Sequence, residues 1–332
     1  MKFIRIILFP IVPFYYLITW LRNWLFNVGY KSSKSYDFPV ICVGNLSTGG
    51  TGKTPMIEYL IRLLKDDNSL ATLSRGYKRK TEGFVLANDN ASADTIGDEP
   101  FQFYRKFSGI TVAVDADRQD GISKLRYLNP KPEVILLDDA FQHRKVKAGF
   151  NILLTAYNNL YYKDIVLPTG NLREPRSGAK RADLIVVTKC RKDISETEKE
   201  IIASKLNIKN HQQLFFSYVD YASEVLSELD SKELSKLPKF TLVTGIANAK
   251  PLVDFLAEKG LKFDHLEFSD HYDFRASDIA NLESKGLIIT TEKDYVRLRS
   301  YSSLEEKLYY LPIEIKIDKA AQFNAAVRGF VN

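Results

Sequence analysis

Cysteine is nearly absent from this chain: there are two in 332 residues, Cys42 and Cys190, each inside an apolar stretch. Two thiols cannot make a disulfide framework, and neither has the spacing of a zinc or redox site. Both read as small buried hydrophobes in a reducing compartment. The four histidines, His143, His211, His265 and His271, lack the spacing of a helical zinc hydrolase. Zinc-finger, helix-turn-helix and aromatic-and-basic RNA motifs are missing too. The charge excess is only +6, from 47 basic and 41 acidic residues. That fits an anionic substrate or membrane surface better than a dedicated nucleic-acid binder. There is no internal repeat or low-complexity tract, and the composition, 45% apolar and 27% charged, is that of a folded chain.

Charge is also missing from residues 6–21, with Lys2 and Arg5 before the run and Arg22 after it. The run falls short of the ~20 residues of a spanning helix, and Pro10 and Pro13 interrupt it. No small-x-small cleavage site follows, which argues against a signal peptide. One reading is a terminal helix packed on the protein's own core. The favoured one is an interfacial segment, because Phe14, Tyr15, Tyr16, Trp20 and Trp24 with flanking cations suit the headgroup boundary of a bilayer. A lipid substrate would follow.

What the chain does have, after residue 34, is alternation of short apolar runs with amphipathic segments. Residues 39–43, 71–73, 110–114, 134–137, 152–154 and 184–187 read as strands, and 53–65, 98–106 and 118–127 as helices. This predicts an α/β fold of P-loop NTPase type, a mostly parallel sheet flanked by helices. After a weakly patterned run to Pro238, strands at 240–243, 263–268 and 287–290 alternate with helices at 251–259 and 276–283. These predict a second, smaller α/β domain. The division expected is 1–34 as a membrane-associated segment, 35–233 as the P-loop kinase domain and 234–332 as the smaller domain. A return of the last residues to the first domain is left open.

The strongest chemical signal is the glycine-rich segment 44–54, GNLSTGGTGKT, between a strand and a helix. A phosphate chain needs backbone N–H groups it can approach closely, and it gains from the positive end of a helix dipole. Ser47, Thr48, Gly49, Gly50, Thr51, Gly52, Lys53 and Thr54 are the expected nucleotide contacts, with Lys53 on the β- and γ-phosphates and the Thr54 hydroxyl on Mg²⁺. Ser47 stands where the strict G-x4-G-K-[ST] pattern has glycine. Downstream, 134–139 reads VILLDD. Four apolar residues put Asp138 and Asp139 at the carboxyl edge of a buried strand, where P-loop enzymes keep their metal carboxylate. Thr48 replaces the lysine of the partitioning-type ATPases. The run 183–189, DLIVVTK, begins like a guanine reader, but Arg191 stands where the base-reading aspartate belongs. ATP is the expected nucleotide.

These segments, together with LSRGYKRK at 73–80, GDEP at 97–100, DADR at 115–118, LLDDAFQHRKV at 136–146, LPTGNLREP at 167–175, ADLIVVTK at 182–189, FSDHYDF at 268–274 and TEKD at 291–294, resemble the tetraacyldisaccharide 4'-kinase family of lipid A biosynthesis. The matches run in order, and only 191–238 has no counterpart. The resemblance implies ATP- and Mg²⁺-dependent phosphorylation of the 4'-hydroxyl of tetraacyldisaccharide 1-phosphate at the cytoplasmic face of the inner membrane. It implies a peripheral or monotopic protein whose N-terminal helix docks on the membrane, and two α/β domains joined by a β-ribbon. It matches Asp98 to the family's catalytic aspartate and His271 to its partner histidine; without it, Asp98 reads as a helix N-cap. It likens Glu174 to a further metal-site carboxylate. His143 is a candidate for nucleotide or metal contact, with a loop-packing histidine as the alternative; Arg173 and Arg176 are candidates for substrate or transferring phosphate, although a solvated basic face is the usual explanation of such a cluster. Neither nucleic acid nor an obligate protein partner is expected. Two rival functions stand beside this one: a P-loop kinase for a soluble sugar or nucleoside, which leaves the aromatic N-terminus unexplained, and a membrane-associated regulatory NTPase.

Overall fold

In the computed structural model, residues 5, 7–270 and 272–332 are described. The first sheet has nine strands: β1 (Val40–Asn45), β2 (Leu70–Ser74), β3 (Val85–Leu86), β4 (Thr111–Val114), β5 (Val134–Asp138), β6 (Phe150–Ala156), β7 (Leu184–Thr188), β8 (Gln213–Tyr221) and β15 (Ile313–Ile317). Their order is β15-β8-β7-β6-β1-β5-β2-β4-β3. Every pairing from β8 across to β4 is parallel, and β3 runs antiparallel on the edge.

The apolar runs are continuous because both faces of this sheet are covered. Alternate residues of one strand serve opposite cores. Val40 and Cys42 of β1 belong to one, with Ile122, Leu125, Ile202 and Leu206 from two helices. Ile41 and Val43 belong to the other, with Met56, Leu60 and Phe103 from two more. Cys42 and Cys190 are both buried and unbridged, and burial pushes both thiols up to about 12.

The C-terminal helix, Ala320–Val331, closes the second core. Phe323 lies edge-on to Tyr59 and Phe215, at 5.6 Å and 5.3 Å, and the Tyr59 hydroxyl donates to Asn324 Oδ1 at 2.8 Å. Tyr59→Phe removes one partly buried hydrogen bond and should cost about 1 kcal/mol, read as a lower denaturant midpoint at unchanged slope.

The second sheet is built from β9 (Glu224–Leu226), β10 (Ser231–Glu233), β11 (Phe240–Thr244), β12 (Phe263–Glu267), β13 (Ile288–Thr291) and β14 (Leu308–Leu311). Its order is β10-β9-β14-β13-β11-β12, parallel from β12 to β14 and antiparallel at β9 and β10. By contact, the chain forms two units, Met1–Val219 with Ile315–Asn332, and Asp220–Glu314; the sequence put a boundary at 233/234.

The apolar N-terminal run is helical over Val12–Asn27. Phe14, Leu17, Ile18, Leu21 and Trp24, spaced three or four apart on one side, are 43–68% exposed. On the other side Val12 and Tyr15 pack against the core, and Asn23 is buried against Glu174. The helix both covers the protein and leaves an apolar face open. Among the described residues, no helix is long and apolar enough to cross a membrane.

Candidate nucleotide and phosphoryl-transfer site

β1 ends at the glycine-rich loop, and the helix Lys53–Leu64 begins directly after it. The loop's turns need positive φ at Gly49 (108°) and at the helix cap Gly52 (86°). Side chains avoid that region. A Cβ at Gly49 would meet nothing within 4 Å, so the loop is open there for a ligand. The segment after β6 pins the loop's entrance: Arg173 N donates to the Leu46 carbonyl and Thr48 N to the Asn171 carbonyl, both at 2.7 Å. Ser47, at the position where the strict pattern has glycine, is buried and bridges to Leu172. Asn45 Nδ2 donates to Thr51 Oγ1 at 2.6 Å.

β5 lies beside β1, with Val43 opposite Asp138, so its two terminal aspartates arrive at the loop. They differ sharply in environment. Asp138 is buried; Ser74 donates to its Oδ2 at 3.3 Å, and Oδ1 has no hydrogen-bond partner. Burial, then the charges of Glu99 and Asp139, push its carboxyl up to about 7. Asp139 turns away in a left-handed conformation (φ 49°). It meets Lys53 Nζ at 3.7 Å and both terminal nitrogens of Arg173, at 2.8 and 3.2 Å. Burial opposes its ionisation, but Lys53 and Arg173 outweigh that and hold it below the usual carboxylate range. The orphaned, buried carboxylate oxygen of Asp138 fits an oxygen-seeking Mg²⁺ that keeps waters and phosphates as its other ligands; Thr54, which follows Lys53 at the start of the loop's helix, is half-buried. No cluster of three or more metal-ligating side chains occurs among the described residues.

The remaining expected residues separate. Asp98 opens the helix Asp98–Lys106 and is half-buried. The cap position is Gly97 (φ 92°), not Asp98, and carries no side-chain cap bond. The charge of its neighbour Glu99 helps to raise the Asp138 pKa. The helix's other end is tied to the P-loop helix, for Gln102 and Lys106 donate to buried Glu58 at 2.8 and 2.7 Å. Glu174, expected at the metal, is 1% exposed and has both oxygens taken up. Arg181 donates to them at 2.7 and 3.0 Å, Asn23 at 2.6 Å and Gln142 at 2.9 Å. Arg173 reaches Asp139, whereas exposed Arg176 donates to the Asp164 carbonyl at 2.8 and 3.0 Å. His143 Nε2 lies 3.8 Å from Asp117; burial, then Arg118, lowers its pKa and favours the neutral ring. His271 lies outside the described residues.

Several side chains that complete the site were not singled out from the sequence. Arg118 is buried and donates to the carbonyls of Asp115, Ala116 and Asp138 at 3.2–3.3 Å. Its signal was the DADR segment. Ser74, Asn45 and Gln142 also lie in the segments 73–80, 44–54 and 136–146, but nothing local marked them: Ser74 meets Asp138 and Gln142 meets Glu174, 64 and 32 residues away.

A glycine-rich loop at the carboxyl edge of a parallel sheet, its lysine against one aspartate and a second aspartate left open, defines a P-loop phosphotransferase. Residues 4–332 match the family model for LpxK, the tetraacyldisaccharide-1-P 4'-kinase. The chain is 55% identical to the tetraacyldisaccharide 4'-kinase of Flavobacterium johnsoniae, over 100% of this chain and 98% of that one. It is 50% identical to that of Flavobacterium psychrophilum with the same coverage. Among solved structures, LpxK from Aquifex aeolicus in complex with ATP superposes with a TM-score of 0.80 at 30% identity, covering 99% of this chain and 100% of that one. The chain belongs to the tetraacyldisaccharide-1-P 4'-kinase family. It is therefore an ATP-dependent phosphotransferase with an alcohol acceptor, acting in lipid A biosynthesis.

Proposed function

We propose that this chain phosphorylates the 4'-hydroxyl of tetraacyldisaccharide 1-phosphate at a membrane surface, with a division of labour among its own residues. The loop amides and Lys53 bind the triphosphate. Asp138 and Thr54 hold Mg²⁺, which when bound neutralises phosphate charge. Arg173 and Lys53 keep Asp139 ionised beside it. Asp98 accepts the proton of the acceptor hydroxyl as that oxygen bonds to the γ-phosphorus and the bond to the β-phosphate oxygen breaks, releasing ADP. The pairing of His271 with Asp98 rests on the sequence motif alone. Glu174 fits a strut better than a metal ligand, its oxygens being occupied by four donors.

What supports this reading is that Lys53 meets Asp139 beside the loop, while its neighbour Asp138 keeps a buried oxygen without a partner. Incubating the protein with γ-labelled ATP and detergent-solubilised disaccharide lipid should put label into the lipid. Label in free phosphate alone would favour the regulatory NTPase, and label in soluble sugars but not lipid the other rival.

The open face of the helix Val12–Asn27 supports docking on the cytoplasmic face of the inner membrane, where this substrate is held. Burying one Leu or Ile side chain is worth about 1.5–3 kcal/mol, so Ile18→Asp with Leu21→Asp should lower co-flotation with anionic vesicles at least tenfold. Undiminished flotation would refute the docking.

A further inference from the structure

The opening of a guanine reader at the end of β7 has a different use here. β7 lies two strands from β1, so its carboxyl end meets the phosphate loop. Thr188, the last strand residue, is buried, and its Oγ1 donates to the Thr51 carbonyl at 2.7 Å. Lys189 follows in a left-handed conformation (φ 58°). That conformation costs a non-glycine residue about 1 kcal/mol or more. It directs the Lys189 amine to the Gly50 carbonyl at 2.6 Å. The strand end also stands against the loop backbone, since a Cβ at Gly50 would lie 3.6 Å from Lys189 Nζ and one at Gly52 3.7 Å from the Thr188 side chain.

We infer that Thr188 and Lys189 are a positioning pair for the phosphate loop, fixing two consecutive peptide planes so that loop amides stay turned toward the triphosphate. This rests on the nucleotide reading of the loop. A trans peptide is planar, so a carbonyl and the N–H that follows it point in opposite directions. Holding the Thr51 carbonyl on β7 sends the Gly52 N–H away from β7. Holding the Gly50 carbonyl fixes the neighbouring plane, whose Thr51 N–H donates to the Gly49 carbonyl at 3.1 Å and closes the turn that precedes Gly52. A loop with glycine at 49, 50 and 52 has unusual freedom to flip these planes, and two anchors from a buried strand remove it. The lysine adds charge as well as position. Its side chain is exposed, yet burial of the amine by surrounding protein, then the Lys53 charge, hold its pKa below the usual lysine range. Lys53 has Asp139 as its counter-ion at 3.7 Å, and a bound triphosphate would add an anion beside both amines.

The test measures ATP affinity directly on the full chain, by calorimetric titration without acceptor, alongside the unfolding midpoint without ligand. Thr188→Val keeps the shape and removes the donor; Thr188→Ser keeps the donor; Lys189→Met keeps the stem. Thr188→Val and Lys189→Met should each weaken ATP binding about tenfold, the size of one lost hydrogen bond in an ordered site. Thr188→Ser should stay within roughly twofold of the parent. KM for the lipid and the ligand-free unfolding midpoint should not move. Valine and methionine variants that bind ATP as the parent does would overturn the inference alone. So would a loss that appears only as a lower ligand-free midpoint, shared by the serine variant. A parent that binds no ATP would overturn the nucleotide reading together with it.

Discussion

Asp98→Asn should reduce kcat for transfer of phosphate to lipid by about 10²–10⁴-fold, the usual contribution of a positioned general base, while KM for ATP stays nearly unchanged. Asparagine matches the shape of aspartate, and the helix does not depend on its charge for a cap, because Gly97 holds the cap position. The helix is held at its far end through Gln102 and Lys106 on Glu58, so the substitution leaves the frame in place. The readouts are label in lipid at saturating ATP and the unfolding midpoint. Loss of transfer with an unchanged midpoint is the expected pair. Transfer within twofold of the parent would remove Asp98 from the reaction and return it to a role at the helix start.

Glu174→Ala should destabilise the first unit by about 3–5 kcal/mol, because removing one partner of a buried ion pair leaves the other uncompensated. Arg181 would face no carboxylate, and Asn23 would lose its bond, loosening the helix Val12–Asn27 where it crosses the protein. The carboxyl also gives this unit an acid limit. Burial raises its pKa, but Arg181 and the donors from Gln142 and Asn23 outweigh that, so the folded value lies below the usual glutamate range. Its contribution is thus present above the unfolded pKa and is lost as pH falls through the folded one. The difference in unfolding free energy between the parent and Glu174→Gln should be constant near neutrality and shrink below about pH 4.5. A difference independent of pH down to acid unfolding would show that the charge of Glu174 contributes nothing.

The strands β1, β2 and β4 to β7 were legible because a strand covered on both faces is a continuous apolar run. β8 was not: it lies in the stretch read as weakly patterned, and from Tyr218 to Tyr221 it is only half-buried. β15 alternates exposed and buried residues over five positions, too short a pattern to show which sheet it joins. The cap reading of Asp98 failed for a local reason, since the chain turns one residue earlier, where Gly97 accepts φ 92°. Arg173, Arg176 and Glu174 looked alike as charges near one motif, yet the fold sends one to Asp139, one to a loop carbonyl and one to Arg181.

By itself the sequence determined the phosphate loop, the pair of aspartates, the α/β class and the apolar N-terminal helix. Each of these is carried by neighbours in the chain, so local spacing and periodicity are enough to reveal it. The tertiary structure alone decided which aspartate stays open and which is clamped, that Glu174 is held by four donors, and that the end of β7 grips the loop. Apart from the pairing of Arg181 with Glu174, seven residues apart, those outcomes depend on carbonyls, guanidinium groups and carboxylates that lie tens to more than a hundred residues apart and meet only when the strands take their places in the sheet.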